Sequence, residues 1–125
     1  MLVSRAATYG GFSGSETLRD ERNWQRHPTV LSGDIGVQND TDDNSRHVVS
    51  ANSAEAGTVL DGFTITGGNG AGDFWGKQGG GMYLHSGEPA IRNCVFVGNQ
   101  GAGYGGALRI GESAAQIDNC LFVGN

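Results

Sequence analysis

The chain contains one nine-residue segment twice, first as Ile91-Arg92-Asn93-Cys94-Val95-Phe96-Val97-Gly98-Asn99 and, 26 residues later, as Ile117-Asp118-Asn119-Cys120-Leu121-Phe122-Val123-Gly124-Asn125. The match extends upstream without a gap, so residues 79–99 and 105–125 are two copies of one repeat. Because the repeat is gapless and rich in Gly, Asn and β-branched residues, it predicts stacked strand units rather than an ordinary globular core.

Looser copies precede this pair. Residues 59–67 match residues 90–98 at a spacing of 31, and residues 30–33 match residues 59–62 at a spacing of 29. The alignment predicts about four coils. Like residues of successive coils then form two inward columns: Leu31, Leu60, Ile91 and Ile117 in one, and Val48 or Val49, Met82 and Leu108 in the other.

Each complete coil contains three short strand signals, which in the last coil are residues 107–110, 116–118 and 120–123. Three strands per coil predict an all-β fold, a right-handed single-stranded parallel β-helix. Alternation along the third strand predicts that Cys94 and Phe96 face inward and that their neighbours face outward. Asn residues at the corners predict hydrogen-bonded ladders between coils: Asn93 with Asn119, and Asn99 with Asn125.

We expect a single domain, residues 1–125, with an irregular first coil at residues 1–46 and regular coils at residues 47–125. Residues 14–26 interrupt the first coil and predict a short amphipathic helical insertion. Its N-cap would be Ser15, and its buried side would carry Leu18 and Trp24.

Composition excludes some classes of protein. The 125 residues include 23 Gly and 2 Pro, and the net charge is −5. The acidic balance argues against binding to nucleic-acid phosphates, which takes clustered Lys and Arg. No apolar run approaches the ~20 residues of a membrane helix, so membrane insertion is not expected. The first residues lack the apolar region of a signal peptide, which leaves a cytosolic chain or a piece of a longer exported protein.

Cys94 and Cys120, the only cysteines, occupy equivalent positions of the two repeats. They are candidates for a disulfide or a metal pair, or for two small apolar side chains stacked in the core. Since a structural zinc site takes four ligands, the lack of further cysteines favours the stacked pair.

The repeat motifs resemble those of known bacterial surface proteins. Residues 96–99 and 122–125 fit F-x-x-N, residues 105–108 fit G-G-A-[ILV], and residues 79–82 are a variant of the latter. Alternation of these motifs resembles the polymorphic outer-membrane proteins of chlamydiae and other bacterial β-helix surface proteins. The resemblance covers most of the chain and implies a pectate-lyase-like solenoid that is a piece of a longer secreted or surface-displayed protein. It implies little about function, because adhesins, autotransporter passengers, polysaccharide lyases and hydrolases share this fold.

Aromatic and polar residues gather around two loops that are expected to be neighbours. Phe74 and Trp75 lie in the longer loop, Tyr104 lies in the shorter one, and Tyr83 and Arg109 follow on outward strand positions. These five residues are candidates for sugar binding, because aromatic rings stack on the apolar faces of pyranoses. The alternative is that Phe74 and Trp75 fold back to shield the wall of the helix.

Asp61, Arg92 and Asp118 form an outward column of alternating charge. Polysaccharide lyases of this fold use such exterior residues, usually with calcium, and by that resemblance Arg92 would remove a proton next to a uronate carboxylate. Cross-strand ion pairing explains the same column without catalysis, and we expect this simpler role.

The acidic run at residues 39–44 presents oxygen ligands at alternating positions, which makes Asp40, Asp42 and Asp43 calcium candidates. The run lacks the Gly and Glu of an EF-hand loop, so we expect a solvated turn, and we expect no other cofactor.

A flat patch of small and β-branched side chains on the outward face of the third strands predicts an interface. It consists of Thr64, Thr66, Val95, Val97, Leu121 and Val123. We expect residues 14–26 or a second copy of the chain to cover this patch, and self-association through the patch or through the open C-terminal coil.

These features predict a non-catalytic β-helix module of a secreted or cell-surface bacterial protein. Its role would be structural or adhesive, and its partner a glycan or a ligand on a host or cell surface. Two alternatives stay open: a fragment of a carbohydrate-active enzyme or glycan-binding β-helix, and a self-associating solenoid.

Overall fold

The computed structural model describes residues 1–71 and 78–125. Its strands, in chain order, are β1 Ala7–Tyr9, β2 Thr29–Ser32, β3 Val49–Ala54, β4 Val59–Asp61, β5 Phe63–Thr66, β6 Asn69–Gly70, β7 Met82–Gly87, β8 Ala90–Arg92, β9 Val95–Val97, β10 Gln100–Gly101, β11 Leu108–Ser113, β12 Gln116–Asp118 and β13 Leu121–Val123. Two short 3-10 turns, Arg19–Glu21 and Thr41–Asp43, are the helical elements of these residues. The described chain is therefore all-β, as the repeat predicted.

The strands pair in parallel and form four sheets within the described residues: β1–β4–β8–β12, β3–β7–β11, β2–β5–β9–β13 and the short pair β6–β10. From β3 onward, the chain passes through these sheets in a constant order. Each strand from β7 onward consequently pairs with the strand of the same sheet that lies one repeat earlier.

The two copies of the repeat lie in register, which confirms the 26-residue alignment. Ile117 pairs with Ile91, Phe122 with Phe96, and Leu108 with Met82. Val49, rather than Val48, extends the column of Met82 and Leu108.

The core consists of the inward side chains of these sheets. Phe96 is fully buried, and its ring stacks on that of Phe122 with centroids 5.0 Å apart and planes 8° apart. Val95 and Val97 lie half-buried on the opposite face of β9, as strand alternation predicted. The other large buried apolar side chains include Leu60, Phe63, Ile65, Met82, Leu84 and Ile91.

The first coil is assembled differently from the sequence alignment. Leu31 was expected in one column with Leu60, yet it pairs with Ile65 because β2 joins the β2–β5–β9–β13 sheet. The partner of Leu60 on that side is Thr8 of β1. The insertion between β1 and β2 separates two strands of one coil, and this spacing shifted the alignment onto the wrong strand.

The insertion contains a single 3-10 turn rather than the predicted amphipathic helix. Leu18 was expected on a buried side but is 67 % exposed, whereas Trp24 is half-buried. Ser15 does not cap the turn, because the turn begins at Arg19 and its N-cap position is occupied by Leu18.

Carboxylates explain why this segment forms turns. Glu16 accepts the amides of Ser13 and Gly14 at 2.8 and 2.9 Å, and Glu21 accepts the amide of Thr17 at 2.8 Å. The Ser13 amide is the main group that lowers the pKa of Glu16, to about 2. Short acceptors that bind nearby amides compete with helical hydrogen bonds.

Asn99, the last residue of an F-x-x-N motif, is fully buried at a corner. Its Nδ2 donates to the carbonyl of Ile65 at 2.9 Å, and its Oδ1 accepts the amide of Gly68 at 3.1 Å. Asn125 repeats both bonds one repeat later, to the carbonyl of Phe96 and from the amide of Asn99. The two side chains also bond to each other at 2.9 Å. The predicted ladder is confirmed, and it binds backbone groups at the corner and at the end of the strand before it.

The second predicted ladder is confirmed at the bend before β9 and β13. Asn119 donates to Asn93 at 2.6 Å, and Asn93 donates to Asp61 at 2.8 Å. Asn93, Asn119 and the equivalent Gly62 all have positive φ, at 52°, 49° and 83°. Asn and Gly tolerate this left-handed backbone, which explains their use at the bend.

Asn99→Ala should lower the free energy of unfolding by about 2 kcal/mol, because it leaves the Gly68 amide buried without its acceptor and removes a bond to the Ile65 carbonyl. Asn125→Ala is the matched control: it removes the equivalent bonds at an exposed position, where water replaces them, and should cost under about 1 kcal/mol. Urea unfolding measures both variants. Equal losses would contradict the role of burial at this corner.

Candidate functional site

Polar and aromatic side chains gather on the outer face of the β3–β7–β11 sheet. Along β7, Met82 and Leu84 are buried, so alternation turns Tyr83 and His85 outward. The register partner of Tyr83 on β11 is Arg109. Two residues predicted from the sequence, Tyr83 and Arg109, are therefore neighbours.

Tyr83 lies at the centre of this cluster. Its ring centroid is 5.2 Å from that of His47 and 6.5 Å from that of His85, and the guanidinium carbon of Arg109 lies 6.0 Å from it. A guanidinium at this distance from an aromatic ring gains a modest cation–π attraction. We call His47, Tyr83, His85 and Arg109 the Tyr83 cluster.

The arginine of the cluster is fixed in place. Its Nε donates to Oε1 of Gln78 at 2.6 Å. The guanidinium lies against Gly111, where a Cβ would collide with it, so glycine at this position leaves the space that Arg109 occupies. Gly111 is also the register partner of His85, which places the guanidinium beside that histidine's position.

Two nitrogens of the cluster have unused hydrogen-bonding capacity. Arg109 Nη1 and His85 Nδ1 are both buried from water and have no hydrogen-bond partner among the described residues. His47 differs, because its Nδ1 lies 3.0 Å from the carbonyl oxygen of Gly79. An oxygen-bearing ligand that reached these nitrogens would recover the cost of leaving them unpaired.

The other predicted ligand-binding residues are placed as follows. Tyr104 is 65 % exposed, and it forms a parallel bridge with Gln78, the residue that binds Arg109. Phe74 and Trp75 lie outside the described residues. His47 and His85 were not predicted: His85 is detectable as the second residue after Tyr83 on the same face, whereas His47 arrives from a separate segment that no repeat marks.

A second surface is the outer face of the β2–β5–β9–β13 sheet. The predicted patch residues form two rows across paired strands, Thr64–Val95–Leu121 and Thr66–Val97–Val123. Val30 on β2 extends the first row and is 54 % exposed. We call these seven residues the outer wall.

The insertion borders the first row of this wall across a groove, and covering of the wall by residues 14–26 stays a prediction. Trp24, Gln25 and Pro28 form one side of a groove of about 540 Å³. The other side is formed by the first row of the wall and by the bend before it: Thr64, Asn93, Cys94, Val95, Asn119, Cys120 and Leu121. Leu121 is 56 % exposed and Val123 is 47 % exposed.

Arg22 anchors the insertion to the sheets. Its guanidinium lies 2.7 Å from a carboxylate oxygen of Asp61 and donates to the carbonyl of Gly10 at 3.0 Å. It also lies near the rings of Tyr9 and Trp24, at 5.1 and 5.5 Å from their centroids. Both partners of the ion pair have side chains only 10 % exposed.

This ion pair corrects the expected charge column. Asp61, Arg92 and Asp118 do lie in register across β4, β8 and β12. However, the carboxylate of Asp61 pairs with Arg22 and accepts a bond from Asn93, while Arg92 is exposed. Arg22 belongs to the insertion, which has no counterpart in the repeat, and it binds the carboxylate that was expected to pair with Arg92. The expected cross-strand pairing of Asp61 with Arg92 is therefore wrong.

The acidic run forms a turn around Thr41–Asp43. Asp40 accepts the amide of Asp42 at 3.0 Å, and Asp43 accepts the amide of Val37 at 2.7 Å. Within residues 1–71 and 78–125, no three His, Cys, Asp or Glu side chains are grouped as metal ligands would be. Calcium binding by Asp40, Asp42 and Asp43 stays a prediction.

Comparison with protein-family models, with curated proteins and with solved structures finds no match for this chain. The helical turns of the described residues are too short to cross a membrane.

Arg22→Ala should lower the free energy of unfolding by about 3 kcal/mol, because it leaves the Asp61 carboxylate buried without its counter-charge. Arg19→Ala is the matched control. Arg19 also lies 5.1 Å from the Tyr9 ring, but its ion pair with Asp20 is exposed and should contribute under about 1 kcal/mol.

Urea unfolding of both variants, and of Asp61→Ala alone and combined with Arg22→Ala, gives the coupling energy of the buried pair. If Arg22→Ala costs no more than Arg19→Ala, Arg22 does not anchor the insertion.

Proposed function

We propose that the chain is a right-handed single-stranded parallel β-helix of about four coils that serves as a non-catalytic structural and adhesive module of a secreted or cell-surface bacterial protein. The constant order of the sheets and the in-register pairing between repeats support this fold. The observation that carries the adhesive role is the outer wall, a contiguous face of paired strands with exposed apolar side chains.

The wall is suited to extended contact. Its rows are fixed by backbone pairing from β2 to β13, so its side chains repeat at the strand spacing of about 4.8 Å. Side chains that are already ordered lose little entropy on binding. Isolated apolar side chains on a surface need no explanation, but a contiguous patch of them marks an interaction face.

The adhesive role predicts that cells displaying this chain are retained under flow on coated glass. The three coatings to be compared are cellulose, polygalacturonate and an octadecyl layer. Val95→Lys combined with Leu121→Lys places two charges in one row of the wall and should reduce retention about tenfold, because charged side chains resist desolvation at an interface. Glu112→Lys, exposed on β11, is the charge-changing control.

Retention that is equal for the wall variant and the control would contradict this proposal, as would retention on none of the three coatings. Light scattering of the purified chain at rising concentration tests the self-association alternative with the same variants. A mass that increases with concentration and falls in the wall variant would assign the wall to contacts between copies.

Glycan binding is the second candidate function, and the Tyr83 cluster favours it. The cluster combines an aromatic ring with two buried nitrogens that lack hydrogen-bond partners among the described residues. Sugar ligands present both apolar ring faces and oxygen acceptors, which are the two features that this arrangement can bind. The same cluster supports the alternative that the chain is part of a carbohydrate-active enzyme.

Arg109→Gln should weaken glycan binding at least about tenfold, because it removes charge-assisted hydrogen bonds to the ligand. Calorimetric titration with oligomers of galacturonate, glucose and N-acetylglucosamine measures the affinity. Arg26→Gln, at an exposed arginine of the insertion, is the matched control.

Reducing ends released during the same titrations would assign an enzymatic activity. If no oligomer binds, or if both arginine variants lose affinity equally, the Tyr83 cluster is not the glycan site.

A further inference from the structure

Cys94 and Cys120 lie next to each other across two strands. Each precedes a strand of the same sheet, and those strands pair with Val95 opposite Leu121. The amide of Leu121 donates to the carbonyl of Cys94 at 2.9 Å. Adjacent strands are about 4.8 Å apart, which falls within the range of Cα separations that a disulfide spans. Both side chains carry free thiols.

The two thiols are not equivalent. Cys94 is buried, whereas Cys120 is half-buried and lies nearer to solvent. The thiol of Cys94 points at the carbonyl of Arg92 at 3.1 Å, and that of Cys120 at the carbonyl of Asp118 at 3.4 Å. The thiols also interact with each other. Because Cys94 is more deeply buried than Cys120, this interaction favours ionisation of Cys120 first.

When Cys120 ionises, the Cys94 thiol donates its hydrogen bond to the thiolate instead of to the carbonyl of Arg92, and this lowers the pKa of Cys120 to about 7. The same bond, together with burial, raises the pKa of Cys94 above its ordinary value. Cys120 is therefore the nucleophile at neutral pH, since the thiolate is the reactive form, and Cys94 keeps its proton.

Cys120 is the thiol that an oxidant reaches first, because it is half-buried whereas Cys94 is 1 % exposed. Cys94 and Cys120 line the groove that Trp24 and Pro28 border, and its volume of about 540 Å³ is large enough for a small molecule to approach. A reactive thiolate, a second thiol on the adjacent strand and an approach to the first thiol are the three parts of a dithiol redox site.

We propose that Cys120 and Cys94 form such a site, and that it closes to a disulfide across the ends of β9 and β13 when it meets a small-molecule disulfide. The Cys120 thiolate attacks one sulfur of the oxidant, a mixed disulfide forms, and the other half of the oxidant leaves and takes up a proton. Cys94 then gives up its proton and attacks the Cys120 sulfur, which expels the second half as a thiol. Two protein thiols are oxidised, and one oxidant disulfide is reduced to two thiols.

The disulfide would tie β13 to β9 covalently. The β13 residues Leu121 and Val123 belong to the outer wall and are among its most exposed members. Oxidation would therefore hold β13 against local unfolding, because a cross-link restricts the opened states.

The test is incubation of the folded chain with oxidised glutathione, followed by intact-mass measurement. Wild type should show the loss of two hydrogen atoms without a lasting glutathione adduct. Cys94→Ser should retain one glutathione on Cys120, because the second thiol is missing. Cys120→Ser should react at least about tenfold more slowly than Cys94→Ser, because its remaining thiol is buried.

Circular dichroism establishes that both serine variants fold. A lasting adduct on wild type, no reaction of wild type, or equal rates for the two serine variants would each overturn the proposal. Limited proteolysis gives an independent readout. Cleavage after Glu112 should be slower in the oxidised chain than in the reduced chain. Equal cleavage rates would contradict a covalent link that holds β13 on β9.

Discussion

Buried amides at the corners hold the stack of strands together. A parallel strand pair satisfies its own backbone, but the residues between strands turn through a corner where their amides and carbonyls have no strand partner. Asn99 accepts the amide of Gly68 at one such corner and donates to the carbonyl of Ile65 in the strand before it, and Asn125 repeats the arrangement one repeat later. A slip of one residue would leave these groups unpaired and turn the inward side chains outward. The corner amides therefore fix the register on which every surface row depends.

Backbone contact imposes a second constraint that explains the Gly-rich motif. At the corner formed by β6 and β10, a Cβ on Gly68 would collide with the carbonyl of Gly80, and one on Gly80 would collide with that of Gln100. Glycine is required there by close approach of neighbouring chain segments. The two motifs of the repeat thus have separate tasks, since F-x-x-N satisfies polar groups and the glycines let the backbones meet.

The repeat was sufficient to predict the columns from Val49 onward, because equal residues at equal spacing can only stack in register. It failed in the first coil, where an insertion without periodicity separates β1 from β2 and gives no signal of the sheet that Leu31 joins.

A column of residues with left-handed backbone within β3, β7 and β11 was also missed. Ser53, Ser86 and Glu112 have φ of 53°, 62° and 50°, and none is a Gly or Asn that would have marked the site. Similarly, alternation and register paired Tyr83 with Arg109, but the contacts of His47 and Trp24 depend on irregular segments.

The two candidate surfaces differ in how closely they follow the repeat. In the outer wall, the row Val30–Thr64–Val95–Leu121 keeps small or branched side chains at every step. In the β3–β7–β11 sheet, the row Ser50–Tyr83–Arg109 changes its chemistry at every step. A row of like side chains presents the same contact to any partner that follows the strand spacing, which suits an extended and weakly selective surface. A row of unlike side chains offers one arrangement of hydroxyl, ring and cation at one place, which suits a single ligand. On a stacked scaffold, selective recognition is therefore to be sought where the repeat is broken, and adhesion where it is kept.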